Sequence, residues 1–160
     1  MTAQQIIEKL NLTKHPEGGL YKETYRSNSQ ITLENGKRRA TGTAIYYLLQ
    51  DKNKSHFHKV SSDELWFFHY GEPLEISVIN ERGSIEKKLL GNNLLLNEAP
   101  QVLVEANNWF AASIKSETGF ALVSCVVAPG FDFDDFEMAN KSELLMRFPH
   151  LQSEIERLSL

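Results

Sequence analysis

The chain has 160 residues, of which 41% are hydrophobic and 24% charged, with a formal net charge of −4. This composition predicts one globular domain over residues 1–160 with a sizeable core, and with no basic face it excludes nucleic acid as a partner. No apolar run reaches bilayer-spanning length and no secretory leader is recognisable, so a cytoplasmic protein without membrane association is expected.

Thr2 followed by Gln5 has the form of a capping box, and Ile6, Ile7 and Leu10 line one side of a short opening helix. His15-Pro16-Glu17-Gly18-Gly19 ends it, because proline and paired glycines interrupt regular structure. Leu20–Arg26 alternates as a strand, with Tyr21, Glu23 and Tyr25 on one face and Lys22, Thr24 and Arg26 on the other. The polar stretch 27–43 reads as an exposed loop or hairpin, and Lys37-Arg38-Arg39 within it as a solvated surface. Strands are expected over 44–49, 56–60, 64–70, 74–79, 85–90, 101–104, 110–114 and 120–127, with turns at 51–54 and 80–83. Pro129-Gly130 stops the last of them, and two short helices follow near 142–147 and 152–158. Many short strands without alternating helices favour a sandwich or barrel over βαβ units. Cys125, the single cysteine, lies in the last apolar run and reads as a buried core residue.

Chemistry concentrates at Ser55-His56-Phe57-His58 and at Glu64 beyond it. Residues two apart on a strand share a face, so His56 and His58 are expected to project together, with Glu64 meeting them from the next strand. Two imidazoles and a carboxylate can hold a divalent metal (Fe, Mn, Ni or Zn) with open coordination positions. Without metal, His58 can serve as a general acid or base oriented by Glu64. The plainest alternative leaves all three as hydrogen-bonded structural residues. Trp66, Phe68, Trp109 and Phe110 can form an aromatic wall able to stack a small-molecule ligand, with Tyr46 and Gln101 as polar pocket groups, although core packing is the simpler role for such rings. His69 falls on the face opposite Glu64 and stays outside the ligand set.

The block from His15 to Arg26 gathers His15, Glu17, Glu23, Tyr25 and Arg26 around a glycine pair. A site is conceivable there, but a structural role is favoured: paired glycines solve a backbone problem, delivering an edge strand to a partner subunit while Glu23 and Arg26 form an ion pair. Asp132, Asp134, Asp135 and Glu137 alternate with Phe131, Phe133 and Phe136, which predicts rings dipping into the body and carboxylates facing water.

His56, His58, Glu64 and Gly71 resemble the first motif of the cupin superfamily: His-x-His, a short loop, Glu, six residues and Gly. The loop between His58 and Glu64 holds five residues, where three or four are usual. His15-Pro16-Glu17-Gly18-Gly19, Glu23-Thr24-Tyr25-Arg26, Asn108-Trp109-Phe110 and Ala128-Pro129-Gly130-Phe131 extend the resemblance to an uncharacterised family of small single-domain cupins. It implies an all-β fold, a single jelly-roll β-barrel with short peripheral helices at both termini, assembled as a homodimer. The resemblance implies no known reaction; the residues themselves lead to the expectation of a small-molecule ligand inside the barrel, with the chain acting on it as an enzyme of isomerase, epimerase or metal-dependent oxygenase type. A non-catalytic ligand-binding module or a dimeric scaffold is the alternative. In the second cupin motif a histidine ligand follows a tight turn; Phe110 stands in its place here, leaving His56, His58 and Glu64 as the implied metal ligands.

Overall fold

Thr2 caps the first helix as its sequence predicts. Its hydroxyl accepts from the Gln5 amide at 3.3 Å, and the Gln5 side chain accepts from the Thr2 amide at 2.9 Å. Replacing Thr2 by Ala is expected to cost about 1 kcal/mol, read as a shift in the urea midpoint with an unchanged denaturant slope. The computed structural model describes residues 1–160. Helix α1 (Ala3–Leu10) leads into strands β1 (Thr13–Lys14), β2 (Leu20–Arg26), β3 (Gln30–Thr32), β4 (Arg38–Ala40), β5 (Thr43–Gln50), β6 (Lys54–Val60) and β7 (Asp63–Gly71). Strands β8 (Leu74–Ile79), β9 (Ile85–Leu90), β10 (Gln101–Val104), β11 (Trp109–Ile114), β12 (Phe120–Ala128) and β13 (Phe136–Met138) follow, then helices α2 (Lys141–Arg147) and α3 (Gln152–Leu158).

The strands pair antiparallel into a six-stranded sheet, β1-β2-β5-β12-β7-β10, and a five-stranded sheet, β13-β6-β11-β8-β9, with β3-β4 as a separate hairpin. Side chains of alternate residues fill the space between the sheets: Tyr47, Leu49, Trp66 and Val123 from one, Ile76 and Phe110 from the other. This is a jelly roll of two facing sheets, without a continuous hydrogen-bonded ladder closing them into a barrel. The outer residues of β5 and β12 meet α1, where Ile6 and Leu12 pack on Leu48. The outer face of the five-stranded sheet carries Phe57, Ile79 and Ala111 under Leu144, Ile155 and Leu158 of the terminal helices. Helix α2 starts at Lys141, one residue before the expected 142, because the Asn140 side chain accepts from the Ser142 and Glu143 amides and is the cap.

Three β-bulges decide what faces the interior. Between β2 and β5 the register moves from Glu23↔Ile45 to Tyr25↔Ala44, so Thr24 is the extra residue. Between β6 and β11 it moves from His58↔Phe110 to Ser55↔Ala112, setting His56 and Phe57 together against Ala111. Between β7 and β12 it moves from Phe68↔Val123 to Tyr70↔Leu122, leaving His69 over. An extra residue resets the two-residue alternation for everything beyond it. Arg26 therefore joins Tyr21 and Glu23 on the inner side, while Tyr25 turns out to solvent; this corrects the strict alternation expected for β2.

The basic cluster departs from expectation at one residue. Arg39 is buried, and its Nε and Nη2 donate to the two Asp135 carboxylate oxygens at 2.6 and 2.9 Å. Asp135 consequently does not face water as the acidic-aromatic alternation predicted. The Arg39 guanidinium holds its carboxyl below the usual range.

Candidate active site

A cavity of about 250 Å³ opens between the sheets, lined by His15, Glu17, Tyr21, Glu23, Arg26, Thr43, Ile45, His58, Val60, Glu64, Cys125, Val127, Phe131, Asp132 and Phe133. The turn before β2 delivers its central carboxyl group. Gly18 and Gly19 adopt φ of +108° and +69°, a region that suits glycine. A Cβ on Gly18 would collide with the Lys54 carbonyl, and one on Gly19 would lie 2.6 Å from the Tyr47 hydroxyl. Without side chains there, the turn lies flat on β5 and β6. The His56 amide donates to the Glu17 carbonyl at 2.8 Å, and the Tyr47 hydroxyl donates to the Gly18 carbonyl at 2.7 Å. Glu17 is thereby directed inward, where Oε1 accepts from the Ser55 hydroxyl at 2.9 Å and Oε2 lies 3.2 Å from His58 Nε2.

Geometry assigns the protons. His58 Nδ1 is 2.7 Å from the His56 carbonyl oxygen, which can only accept, so Nδ1 carries a hydrogen. Nε2 is left facing Glu17 Oε2 across 3.2 Å, so a hydrogen bond between them takes a proton lying between the two atoms. His15 closes the other side: its Nδ1 accepts from the Glu17 amide at 3.3 Å, and burial lowers its pKa, with His58 adding to the shift and Glu17 opposing it. Phe110 packs on the back of His58 with ring centroids 4.2 Å apart, and Phe136 lies 5.4 Å away.

Glu64 enters from β7 in the opposing sheet, not from a strand paired to β6. It is 7% exposed, and burial first, then the Glu17 charge, raise its pKa to about 8. The neighbouring Cys125 thiol pulls the other way. The thiol is itself pushed well up by burial and by Glu64. Near neutral pH this carboxyl group is mostly protonated and can donate.

His58 and Glu64 thus share the cavity, and His56 does not line it. The bulge at His56–Phe57 displaces that ring, whose Nδ1 donates to the Glu17 carbonyl at 2.7 Å. No three His, Cys, Asp or Glu side chains come close enough to hold an ion. With His56 outside the cavity and a phenylalanine ring in the fourth ligand's place, the expected His56, His58 and Glu64 are not gathered around one point and do not fit a divalent metal.

None of the six expected pocket residues lines this cavity. Trp66 and Phe110 are buried in the core between the sheets, with Phe68 packed against it. Tyr46 faces outward toward α1 and His69, Gln101 is exposed, and Trp109 packs under the terminal helices with Lys59 Nζ 4.5 Å above its ring. His69 is on the outer face as expected, against Ser124. Sequence reasoning left His15, Glu17, Tyr21 and Arg26 outside the site. The signal was present in the density of ionisable residues around Gly18 and Gly19, and the glycines' backbone role is what brings that chemistry inside. Glu23 and Arg26 do form the expected ion pair, at 2.7 Å. Phe131 lines the cavity, in keeping with a ring turned toward the body, whereas Phe133 borders it from the rim and is 53% exposed, which departs from that expectation.

The profile of a family described as Cupin superfamily (DUF985) matches residues 4–139. An uncharacterised protein of Saccharomyces cerevisiae, YML079W, is 31% identical over 147 residues, covering 82% of this chain and 72% of the yeast protein. A hypothetical protein from Leishmania major superposes with a TM-score of 0.94 at 33% identity, covering 99% of both chains. Protein SO0799 from Shewanella oneidensis gives 0.93 at 37% identity, over 100% of this chain and 98% of that one. Oxalate decarboxylase from Bacillus subtilis shares the fold alone, with a TM-score of 0.57 at 14% identity over 91% of this chain and 36% of its own.

Proposed function

This chain belongs to the DUF985 family of the cupin superfamily, and on that scaffold we propose an enzyme of isomerase or epimerase type that moves a proton on a small polar molecule. One observation carries the reading: the cavity holds Glu17 and His58 in contact at 3.2 Å and, in the same space, a carboxyl group whose pKa burial raises to about 8. Carboxyl and imidazole groups whose surroundings separate their proton affinities are the usual makings of an acid and a base in one site. The cavity, about 250 Å³, is just below the roughly 300–1,000 Å³ range of pockets for drug-sized ligands, which favours a molecule the size of a monosaccharide or a hydroxy acid.

In this mechanism the Glu17–His58 pair takes a proton from carbon beside a carbonyl group, and Glu64 donates its proton to the oxygen on which negative charge develops. Reversal, with the carbon proton returned to another face or to the neighbouring atom, completes the isomerisation and restores both groups. The His56 carbonyl holds the His58 ring in orientation, and Ser55 holds Glu17. Phe110, Phe131 and Phe133 lower the local polarity and strengthen these interactions.

Deuterium wash-in tests this. In D₂O the protein is expected to place deuterium on a carbon of at least one member of a panel of monosaccharides, hydroxy acids and amino compounds, detected by mass spectrometry. Glu17→Gln and His58→Ala should each slow that exchange by roughly 10²–10⁴-fold. Exchange with no panel member, while a panel member still binds in the cavity, would turn the site into a binding module.

A further inference from the structure

The cavity lining is lopsided in charge. Glu17, Glu23, Glu64 and Asp132 contribute four carboxyl groups, against the Arg26 guanidinium and the imidazoles of His15 and His58, of which His15 is pushed towards its neutral form by burial. That guanidinium is already engaged. Its Nε and Nη2 donate to the two Glu23 oxygens at 3.0 and 2.7 Å, and its Nη1 donates to the Phe131 carbonyl at 3.1 Å. A carboxylate or phosphate ligand would have to break this two-pronged contact to find a positive partner.

The aromatic residues point the same way. Tyr21, Phe131 and Phe133 line the cavity beside the carboxyl groups, with Phe131 and Phe133 edge to face at 5.1 Å. Aromatic faces carry negative potential and attract cations, most strongly where water is excluded. Glu64 adds an independent indication. It is more than nine-tenths buried, lines the cavity, and has only the Cys125 thiol as a polar neighbour acting on its charge besides Glu17. A buried carboxyl group with most of its hydrogen-bonding capacity unused calls for a hydrogen-bond donor or a positive charge from the ligand.

We infer that the ligand of this cavity is a small organic cation, a protonated or quaternary amine held between the Glu64 carboxyl group and the rings of Tyr21, Phe131 and Phe133. The inference rests on the reading of this cavity as the substrate site and narrows the substrate to an amine-bearing molecule. A neighbouring positive charge favours the ionised form of a carboxyl group, so the amine weakens the hold of Glu64 on its proton, makes it a readier donor, and is attracted more strongly as that proton leaves. Asp132 at the cavity wall adds a second attractive carboxyl group.

Titration of the intact protein with choline, ethanolamine, lactate and glucose, followed by calorimetry and by chemical shifts of the Tyr21 and Phe131 rings, tests this. One of the two amines is expected to bind at least about tenfold more tightly than lactate or glucose, which corresponds to about 1.4 kcal/mol. Glu64→Gln, which keeps the shape of the protonated acid, should remove that advantage, and Phe131→Leu should weaken amine binding while leaving the fold intact by circular dichroism. Lactate or glucose binding as well as both amines would overturn the inference. Its failure and that of the enzymatic reading are separable. Amine binding without deuterium wash-in sinks only the enzyme, and wash-in on a neutral sugar without amine binding sinks only the cation.

Discussion

Stability of the wild-type protein is expected to fall as pH rises from about 4.5 towards 8, and Glu64→Gln is expected to remove most of that slope. The folded protein holds the Glu64 proton up to about pH 8, whereas the group's ordinary value is 4.5. Between those values the folded state binds more protons than the unfolded chain, so each step up in pH favours unfolding. The stabilisation is complete below 4.5 and lost as pH passes about 8. A single group accounts for at most about 1.4 kcal/mol per pH unit, several kcal/mol across the window. Asp135 works in the opposite sense and lower down: its pKa is depressed by Arg39, so its contribution disappears only as pH falls through the acid range. Urea midpoints across a pH series for wild type and Glu64→Gln measure the effect. An equal slope in the two proteins would remove the protonated acid from the mechanism.

Gly18→Ala is the second large effect. The substitution asks a side chain to adopt φ of +108° and to occupy the place of the Lys54 carbonyl oxygen. Backbone strain and forced displacement together should cost roughly 2–4 kcal/mol. The turn must lift from β6, and Glu17 leaves Ser55 and His58 with it, so proton exchange and ligand binding should go before the fold does. Gly36→Ala supplies the comparison: its φ is +81° with nothing within 4 Å of an added Cβ, so it should lose only about 1 kcal/mol and keep full function. Equal losses in the two variants would show that the collision at Gly18 contributes nothing.

The fold was legible because its strands obey local rules. Leu20–Arg26, Leu74–Ile79, Ile85–Leu90 and Gln101–Val104 occur with the expected bounds, each a run of strand-favouring residues between turn formers. The capping box at Thr2 is likewise a matter of three residues' geometry. The site was legible only in part, and the bulges explain why. Alternation predicts a face for every strand residue only while the register is constant. The extra residues at Thr24 and at His56–Phe57 break it where the cavity is built. Arg26 moved inward by one such shift and His56 was displaced by another, and neither shift has a marker in composition. His58 and Glu64 reach the cavity nonetheless, from strands in opposite sheets. Glu17 depends on a different kind of information, the flat approach of a two-glycine turn to β6, which sequence announces as a turn without saying what it carries. Tyr46 and Tyr47 make the point at a single step: the neighbour of the expected residue faces the core, because the phase of a strand matters as much as its existence.

The Arg39–Asp135 pair fastens the β3–β4 hairpin to the segment that lays Phe131 and Phe133 over the cavity. Both side chains are largely shielded from water, so added salt should loosen this fastening far less than it loosens the more open Lys37 contact to the same aspartate. If the cavity takes the ligand proposed for it, the hold on that ligand should depend on a surface ribbon that does not line the cavity, which makes residues 30–40 the place to look for variants that change off-rates while leaving the proposed chemistry alone.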